Sequence, residues 1–176
     1  EVTPIMRRIL QKEVRLKPYQ NLFFTTLKHG EIKPVFDGPE LEPSFYENKD
    51  YSMLILTGIA APAHMYNHLR QFSKKVEIFS FPDHYYFSDA DIQKLIAKFD
   101  ALNTNKKIIV TTEKDVMRLK DLPGLPENFK HHLYYLPVKV KFLDEGENEF
   151  NKKILNYVGE NKSNRELHKR TNKRNA

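Results

Sequence analysis

The feature that most constrains this chain is the alternation of short apolar segments with helix-period segments after Ser52. Helical patterns separate four segments that read as strands, at 52–56, 76–81, 108–111 and 133–140. The first of these is almost continuously apolar, as a strand buried on both faces requires. Strands separated by helices form βαβ crossovers, whose strands run parallel. The pattern therefore predicts an α/β fold, with a mostly parallel, Rossmann-like sheet and helices on both faces.

The helices between these strands have their own signals. Pro62 opens the first helix, and Ser88 with Asp91 forms an S-x-x-D start that resembles a capping box. The helix after Ser88 carries the clearest apolar stripe, which comprises Ile92, Leu95, Ile96, Phe99 and Leu102. Further helices are predicted from about 113 to 119 and around the stripe Phe150, Ile154, Leu155 and Val158.

The residues before Ser52 predict an appendage to this sheet. Thr3 and Pro4 form a helix start, and Pro18 is the expected stop. Strands at 22–27 and 32–36, joined by a turn at Gly30, predict a β-hairpin extension, and the Gly- and Pro-containing stretch 37–50 reads as a linker. The predicted segments are therefore 1–50 (helix, two strands and linker), 51–158 (the α/β lobe) and 159–176 (a basic flexible tail).

Charge and composition narrow the possible partners. Residues 160–176 hold six Lys or Arg against two Glu, so the tail carries +4 of the net +6. Such a tail is most often a solvated, frayed terminus; anionic lipid is the next alternative, and nucleic acid comes last because no aromatic residue is present to stack on bases. The absence of cysteine excludes disulfides and thiolate sites.

The start of the chain and its hydropathy bear on its compartment. No apolar stretch approaches the roughly 20 residues of a membrane span, so a soluble, cytosolic-type chain is expected. The first residues, Glu-Val-Thr-Pro, are not a signal peptide and lack an initiator methionine, which suggests a fragment or a processed chain.

Three loops follow predicted strands and carry the candidate chemistry. They are 57–59, with Thr57 and Gly58; 81–84, with Asp83 and His84; and 111–115, which reads Thr111, Thr112, Glu113, Lys114 and Asp115. Ligands of open parallel sheets bind outside the carboxyl ends of the strands. These loops are therefore expected along one edge of the sheet.

Each loop has a functional and a structural interpretation. Asp83 and His84 could supply a general base near neutral pH, or Asp83 could simply turn the loop beside a surface histidine. Thr111 to Asp115 could bind an anion at a helix start, or Thr112 could cap the helix while the other side chains are solvated. Gly58 allows either a tight turn, which is the safer interpretation, or close backbone approach.

Other signals are weak or absent. The pairs His64 with His68 and His131 with His132 lack an HExxH pattern, so no metal site is predicted in this chain. No G-x-x-x-x-G-K-[ST], G-x-G-x-x-G or G-x-S-x-G motif occurs, so the chain by itself shows no means of holding a nucleoside triphosphate.

The ordered set Leu-Thr-Gly-Ile-Ala-Ala-Pro (56–62), Phe-Pro-Asp-His (81–84) and Thr-Thr-Glu-Lys-Asp (111–115) resembles the tetraacyldisaccharide 4′-kinase family. The upstream Lys-Pro-Tyr-Gln (17–20) and Phe-Phe-Thr (23–25) look like the form typical of Bacteroides-type bacteria, and Leu-Pro-Val (136–138) fits the usual final strand. The resemblance covers roughly 2–158.

The resemblance implies a kinase that transfers the γ-phosphate of ATP, with Mg²⁺, to the 4′-hydroxyl of the lipid A disaccharide 1-phosphate precursor. It implies work at the cytoplasmic face of the bacterial inner membrane, with a P-loop lobe that precedes this chain and binds ATP and Mg²⁺. His84, paired with an aspartate of that lobe and supported by Asp83, would accept the sugar hydroxyl proton. Thr57, Gly58 and residues 111–115 would line the same cleft.

The expected partners are accordingly the lipid A precursor, the inner-membrane surface and the P-loop lobe, without nucleic acid, and the 176-residue chain alone is expected to lack kinase activity. Two other interpretations remain open. One is a non-catalytic α/β binding module whose basic tail meets anionic membrane or nucleic acid. The other is an unrelated α/β enzyme that uses Asp83 and His84 for hydrolysis.

Overall fold

The computed structural model describes residues 2–122 and 124–174, through the backbone alone from residue 161 onward. The elements in chain order are α1 (Pro4–Val14), β1 (Thr25–His29), β2 (Lys33–Pro34), α2 (Pro43–Asn48), β3 (Ser52–Thr57), α3 (Ala63–Leu69), β4 (Lys75–Ser80), α4 (Asp89–Asp100), β5 (Lys107–Thr112), α5 (Glu113–Lys120), α6 (Glu127–Lys130), β6 (Leu133–Leu136), β7 (Val138–Phe142) and α7 (Gly146–Arg174).

A five-stranded sheet with the order β2-β6-β5-β3-β4 forms the centre of the fold. β3 pairs in parallel with β4 and with β5, β5 pairs in parallel with β6, and the edge strand β2 is antiparallel to β6. Ile55 of β3 lies opposite both Ile78 and Val110. The predicted mostly parallel α/β sheet is confirmed.

Two hydrophobic layers cover the faces of this sheet because side chains alternate along β3. Met53 and Ile55 pack with α2 and α3, whereas Leu54 and Leu56 pack with α4, α5 and α6. All six residues of β3 are buried, which accounts for its nearly continuous apolar sequence. The predicted capping box also forms, because Ser88 Oγ accepts from Asp91 N and the Asp91 carboxylate accepts from Ser88 N.

The chain divides into two compact units, which differ from the predicted segments 1–50, 51–158 and 159–176. Residues 28–139 form one unit, and it holds the whole five-stranded sheet. The other unit comprises residues up to 27 together with those from 140 onward. Within that second unit Arg7 forms a salt bridge with Asp144, and Phe23 packs edge-to-face on Phe142 and Phe150.

The N-terminal elements begin and end at other residues than expected. α1 starts at Pro4 under a Thr3 cap as predicted, but it ends at Val14, before Pro18, because Arg15 adopts a left-handed conformation with φ 47°. β1 is displaced toward the C-terminus from the expected 22–27. Phe23 lies outside the strand and contributes instead to the aromatic cluster of its unit.

The predicted β-hairpin is wrong. β1 pairs with β7 in a separate two-stranded sheet, and β2 pairs with β6 in the main sheet. The strand expected at 133–140 is interrupted at Pro137, which has no N–H to donate to a ladder. β6 and β7, on either side of this proline, therefore belong to different sheets. β6 pairs with β2, and β7 pairs with β1.

The linker predicted at 37–50 is also wrong, since this stretch contains α2 and contributes to the core. Phe45 is 1% exposed, and Ile32 N donates a hydrogen bond of 2.9 Å to the Tyr46 hydroxyl. Pro43 occupies the first turn of α2, where a proline costs no hydrogen bond. The proline that suggested a linker marks a helix start.

The C-terminal region is more helical than predicted. α6 is an additional short helix, and α7 continues to Arg174 through most of the expected tail. Side chains from 161 onward, residues 175–176 and Pro123 of the predicted loop lie outside the described residues, so the flexibility of the basic tail stays a prediction. Among the described residues, no helix combines the length and the hydropathy that a membrane crossing needs.

Candidate active site at the carboxyl edge of the sheet

Parallel pairing brings the loops after β3, β4 and β5 to the same edge of the sheet. Thr57 at the end of β3 pairs with Ser80 at the end of β4. The chain passes from β3 to β4 on one side and then to β5 on the other side of β3. Ligands bind at such a reversal of strand order in open α/β sheets. We call this edge, formed by residues 57–59, 81–84 and 111–115, the rim.

Gly58 lies where all three rim loops come into contact. Its N–H donates a hydrogen bond of 2.9 Å to Asp115 Oδ2. A Cβ added at Gly58 would lie 3.1 Å from Asp115 Oδ1 and 3.6 Å from the Pro82 carbonyl oxygen. None of the described glycines has a positive φ. The contacts favour close backbone approach at Gly58, and its backbone does not adopt the left-handed conformation of a glycine turn, although a tight turn had been the safer interpretation.

Hydrogen bonds among the side chains of α5 and its cap stabilise the start of this helix. Thr112 Oγ1 caps the helix by accepting from Asp115 N at 3.1 Å, and its hydroxyl lies 2.8 Å from Asp115 Oδ2. Arg118 donates to Asp115 Oδ1 at 3.1 Å. The Asp115 carboxylate thus has three donors, including Gly58 N, while its side chain is fully buried. This supports the capping interpretation of Thr112.

Three of the seven predicted cleft residues are placed below the rim and do not line it. Thr57, Thr111 and Asp115 are each 0% exposed. The Thr57 hydroxyl is hydrogen-bonded to the Tyr66 hydroxyl at 2.8 Å. Within the part of the chain that the structure describes, Thr111 Oγ1 is buried without a hydrogen-bond partner. Thr57 and Thr111 are buried because they lie at the ends of strands that are covered on both faces, and Asp115 is buried in the first turn of α5 by its contacts with Gly58 and Arg118.

Asp83 and His84 lie on the outer side of the rim. His84 has φ 62°, and its N–H donates 2.9 Å to Asp83 Oδ1, which also accepts from Lys114 Nζ at 2.6 Å. His84 Nε2 lies 3.6 Å from Asp83 Oδ2, and the imidazole is 76% exposed. The hydrogen bond from Lys114 is the main cause that lowers the pKa of Asp83 from its ordinary 3.8. The rim therefore offers an accessible imidazole beside an ionised carboxylate.

The positive charges at the rim are already paired. Lys114 pairs with Asp83, and Arg118 pairs with Asp115. The Glu113 carboxylate accepts a hydrogen bond from Val138 N at 3.2 Å. A bound phosphate would have to compete with these carboxylates for each cation. The arrangement suits proton transfer to or from His84 better than the binding of a highly charged anion.

Arg118 was not identified from the sequence as a rim residue. Its guanidinium lies 3.6 Å from a Cβ added at Gly58 and 5.9 Å from the centroid of the exposed Tyr86 ring. The available signal was its position three residues after Asp115, which places both side chains on one face of a helix.

The histidine pairs lie away from Asp83 and His84. His64 and His68 join His29 in a cluster: His29 Nε2 is 2.8 Å from His64 Nδ1, and the ring centroids of His29 and His68 are 4.6 Å apart. Among the described residues, no group of three or more His, Asp or Glu is arranged to hold a metal ion. His131 and His132 line a cavity of about 330 Å³ near the residues where β5 and β6 begin, next to Tyr51 and Lys107.

A larger cavity does not compete with the rim as a site for an anionic substrate. Its volume is about 430 Å³, and it lies between β2 and α2. Glu31, Glu40 and Glu47 line it against a single lysine, Lys33. This excess of carboxylates would repel a phosphate group.

The fold and the rim define a class: a doubly wound α/β domain with an exposed imidazole and a neighbouring carboxylate at the edge where such folds bind ligands. Sequence comparison then identifies the family. Residues 10–159 match the family Tetraacyldisaccharide-1-P 4′-kinase. The chain belongs to this family, as its rim motifs predict.

Relatives with the name tetraacyldisaccharide 4′-kinase match most of this chain. The protein of Bacteroides thetaiotaomicron is 36% identical over 181 residues, which cover 98% of this chain and 47% of the relative. That of Phocaeicola vulgatus is 37% identical over 164 residues, with 93% and 45% covered, and that of Flavobacterium johnsoniae is 38% identical over 156 residues, with 86% and 41% covered. The chain thus spans about half the length of these relatives.

A solved structure is also similar. It is the crystal structure of LpxK from Aquifex aeolicus in complex with ATP, with a TM-score of 0.44 and 20% identity over 84% of this chain and 40% of that one.

Proposed function

We propose that this chain is the C-terminal lobe of an ATP-dependent kinase that phosphorylates the 4′-hydroxyl of the tetraacyldisaccharide 1-phosphate precursor of lipid A. The observation that carries the proposal is the match of residues 10–159 to the kinase family. All three rim loops lie within the matched residues. The names of the relatives state the same activity for proteins about twice as long as this chain.

His84 is proposed as the general base. Its imidazole is exposed on the rim, so the hydroxyl of a sugar can reach Nε2. The neutral ring accepts the proton of the 4′-hydroxyl, and the ionised Asp83 beside it stabilises the imidazolium that results. In the complete kinase an aspartate of the preceding lobe would pair with the same histidine.

The residues of this chain do not fit ATP or Mg²⁺. Lys114 and Arg118 are engaged by Asp83 and Asp115, and the sequence contains no phosphate-binding glycine loop. Both groups are therefore proposed to bind to a P-loop lobe outside this chain. The proposed contribution of the rim is to contact the sugar and to accept its hydroxyl proton at His84.

The remaining partners follow from the chemistry of the substrate. A tetraacylated disaccharide resides in a lipid surface, so the kinase is proposed to work at the cytoplasmic face of the inner membrane. The exposed His84 and Lys114 would then face the headgroup sugar, with Thr112 and Glu113 beside them and the buried Gly58 beneath. The binding-module alternative has no support from the relatives, which are named as kinases.

The test is substitution of His84 in the full-length kinase that contains this chain. His84→Ala is expected to lower kcat by about 10²–10⁴-fold, the usual contribution of a general base, while KM for the disaccharide changes far less. The measurement is transfer of labelled phosphate from Mg-ATP to the disaccharide 1-phosphate.

The matched control is His131→Ala, which removes an exposed histidine far from the rim and should leave kcat unchanged. Unchanged turnover in His84→Ala would remove this histidine from the mechanism. Absence of phosphorylation by the wild-type full-length protein would refute the function itself. The 176-residue chain alone should transfer no phosphate, and transfer would contradict the division of labour between the lobes.

A further inference from the structure

We infer that Lys114 is a positioning residue for His84, acting through Asp83. The inference rests on the proposed function, because it assigns a role to Lys114 in the proton transfer proposed for His84. Nothing in the family match assigns one. The observation behind it is a pair of hydrogen bonds on one carboxylate oxygen of Asp83, which joins the start of α5 to the backbone of His84 in the loop after β4.

Asp83 Oδ1 is shared by two donors of different kinds. One is the N–H of His84, a local contact that shapes the turn, at 2.9 Å. The other is Lys114 Nζ, at 2.6 Å, from an element 31 residues further along the chain. The second contact is charge-assisted, and such hydrogen bonds are shorter and stronger than neutral ones. Lys114 therefore fixes the carboxylate that in turn fixes the backbone N–H of His84.

The loop after β4 needs an additional contact because its strand lies at the edge of the sheet. β4 is an edge strand, so only β3 supports it laterally. His84 holds a left-handed backbone conformation that costs a non-glycine residue free energy. Strain of this kind persists only where surrounding contacts enforce it. The Asp83–Lys114 pair is a contact of this kind, and it reaches the strained residue directly.

The structure is less consistent with a role for Lys114 in binding phosphate than with a role in positioning Asp83 and His84. Its ammonium is already bound to Asp83, and its neighbours along α5 are the carboxylates Glu113 and Asp115. Arg118, the nearest other cation of the helix, is paired with Asp115. The local charge is therefore balanced or negative, which weakens attraction for an anion.

Lys114 also keeps Asp83 ionised. Its hydrogen bond is the main cause that lowers the pKa of Asp83 below its ordinary 3.8, so the carboxylate that accepts from the N–H of His84 is charged near neutral pH.

The experiment compares Lys114→Met, Lys114→Arg and Asp83→Asn in the full-length kinase. Lys114→Met is expected to lower kcat by up to about 10²-fold, as a misplaced catalytic group does, with little change in KM for the disaccharide. Lys114→Arg keeps the charge and should restore most of the activity. Lys120→Met removes an exposed lysine from the last turn of the same helix and should behave like the wild type.

The double variant Asp83→Asn with Lys114→Met distinguishes positioning of His84 through Asp83 from an effect of Lys114 that does not involve Asp83. If Lys114 acts through Asp83, the double variant should match Asp83→Asn alone, because coupled residues are not additive. Additive losses, a Lys114→Met enzyme with wild-type kcat, or a Lys114→Arg enzyme no more active than Lys114→Met would overturn the inference.

A replacement variant covers the case in which Lys114→Met does not fold, and the activity of His84→Ala separates failure of the inference from failure of the proposed function. If Lys114→Met unfolds, as a thermal melt would show, Lys114→Gln serves for the same comparison. If His84→Ala has full activity, the proposed function of His84 fails; if His84→Ala is inactive while Lys114→Met and Lys114→Gln are unaffected, only the role of Lys114 fails.

Discussion

At the residue scale, the backbone of His84 is the most informative detail of the site. Arg15, Lys49 and Asp144 also have positive φ, but the first two are helix C-caps, where this conformation is common, and aspartate adopts it more readily than most residues. His84 holds φ 62° in a rim loop instead. Strained residues of this kind concentrate at functional sites, which is consistent with the role proposed for His84.

This strain can be measured separately from activity. In the 176-residue chain, His84→Gly is expected to have a free energy of unfolding about 1 kcal/mol higher than His84→Ala, because glycine adopts a left-handed conformation without the Cβ penalty. Urea unfolding followed by circular dichroism is the measurement. In the full-length kinase both variants should lose turnover, since both lack the imidazole. Equal stability of the two variants would show that the loop relaxes and that His84 is not strained.

At the element scale, the histidine cluster connects β1 to α3. Burial is the main cause that lowers the pKa of both His29 and His68 below the ordinary 6.5, and the neighbouring imidazoles lower it further. His68 also packs edge-to-face on Phe72 just beyond α3. The neutral rings are compatible with this packing, whereas protonated rings would repel one another.

The cluster predicts a pH-dependent stability. Because the folded-state pKa values of His29 and His68 lie below 6.5, the unfolded chain takes up protons first as the pH falls. The free energy of unfolding should therefore be highest above pH 6.5 and should fall as the pH drops from there to the folded-state pKa values. Denaturant titrations on both sides of pH 6.5 measure this.

Variants assign the effect to the cluster. His68→Phe should reduce the pH dependence between neutral and mildly acidic pH, and His29→Phe should do the same. His131→Phe, which changes an exposed histidine outside the cluster, should keep the wild-type dependence. An unaltered pH profile in both cluster variants would show that the histidines are protonated in the folded state without penalty.

At the scale of the whole molecule, one unit contains everything that supports the rim. The main sheet and both hydrophobic clusters lie within residues 28–139. The central strands β3 and β5 are covered on both faces within this unit. It therefore meets the usual requirement for independent folding, a hydrophobic core of its own.

The corresponding prediction concerns truncation. A chain of residues 28–139 is expected to unfold cooperatively on heating and to give a helix-and-sheet circular dichroism spectrum. A chain of residues 28–130 is the matched control: it lacks β6, which lies between β2 and β5, and should not fold. A non-cooperative melt of the longer fragment would show that the core depends on residues outside it.

The predictions that held from sequence were those with short-range causes. The apolar run of β3, the stripe of α4 and the Ser88–Asp91 capping box are each encoded within a few residues. Alternation of strands and helices was enough to predict parallel pairing and a shared edge for the rim loops. The candidate site followed from that edge, although the roles of its residues remain proposals.

The features that the sequence could not supply depend on residues far apart in the chain. β1 pairs with β7 and β2 with β6, although turn chemistry at Gly30 predicted a hairpin. Phe45 is buried in a stretch that composition marked as a linker, because a core position is defined by what packs against it. The burial of Thr57, Thr111 and Asp115 likewise became evident only from the covering layers.

By itself, then, the sequence determined the class of fold, the helix caps and the edge at which the rim loops meet, because periodicity and capping act between near neighbours. Only the tertiary structure decided which strands pair, which rim side chains are exposed and that Lys114 binds Asp83. These depend on contacts between distant segments, whose free energy comes from burial and from charge pairing across space and leaves no local signature in the chain.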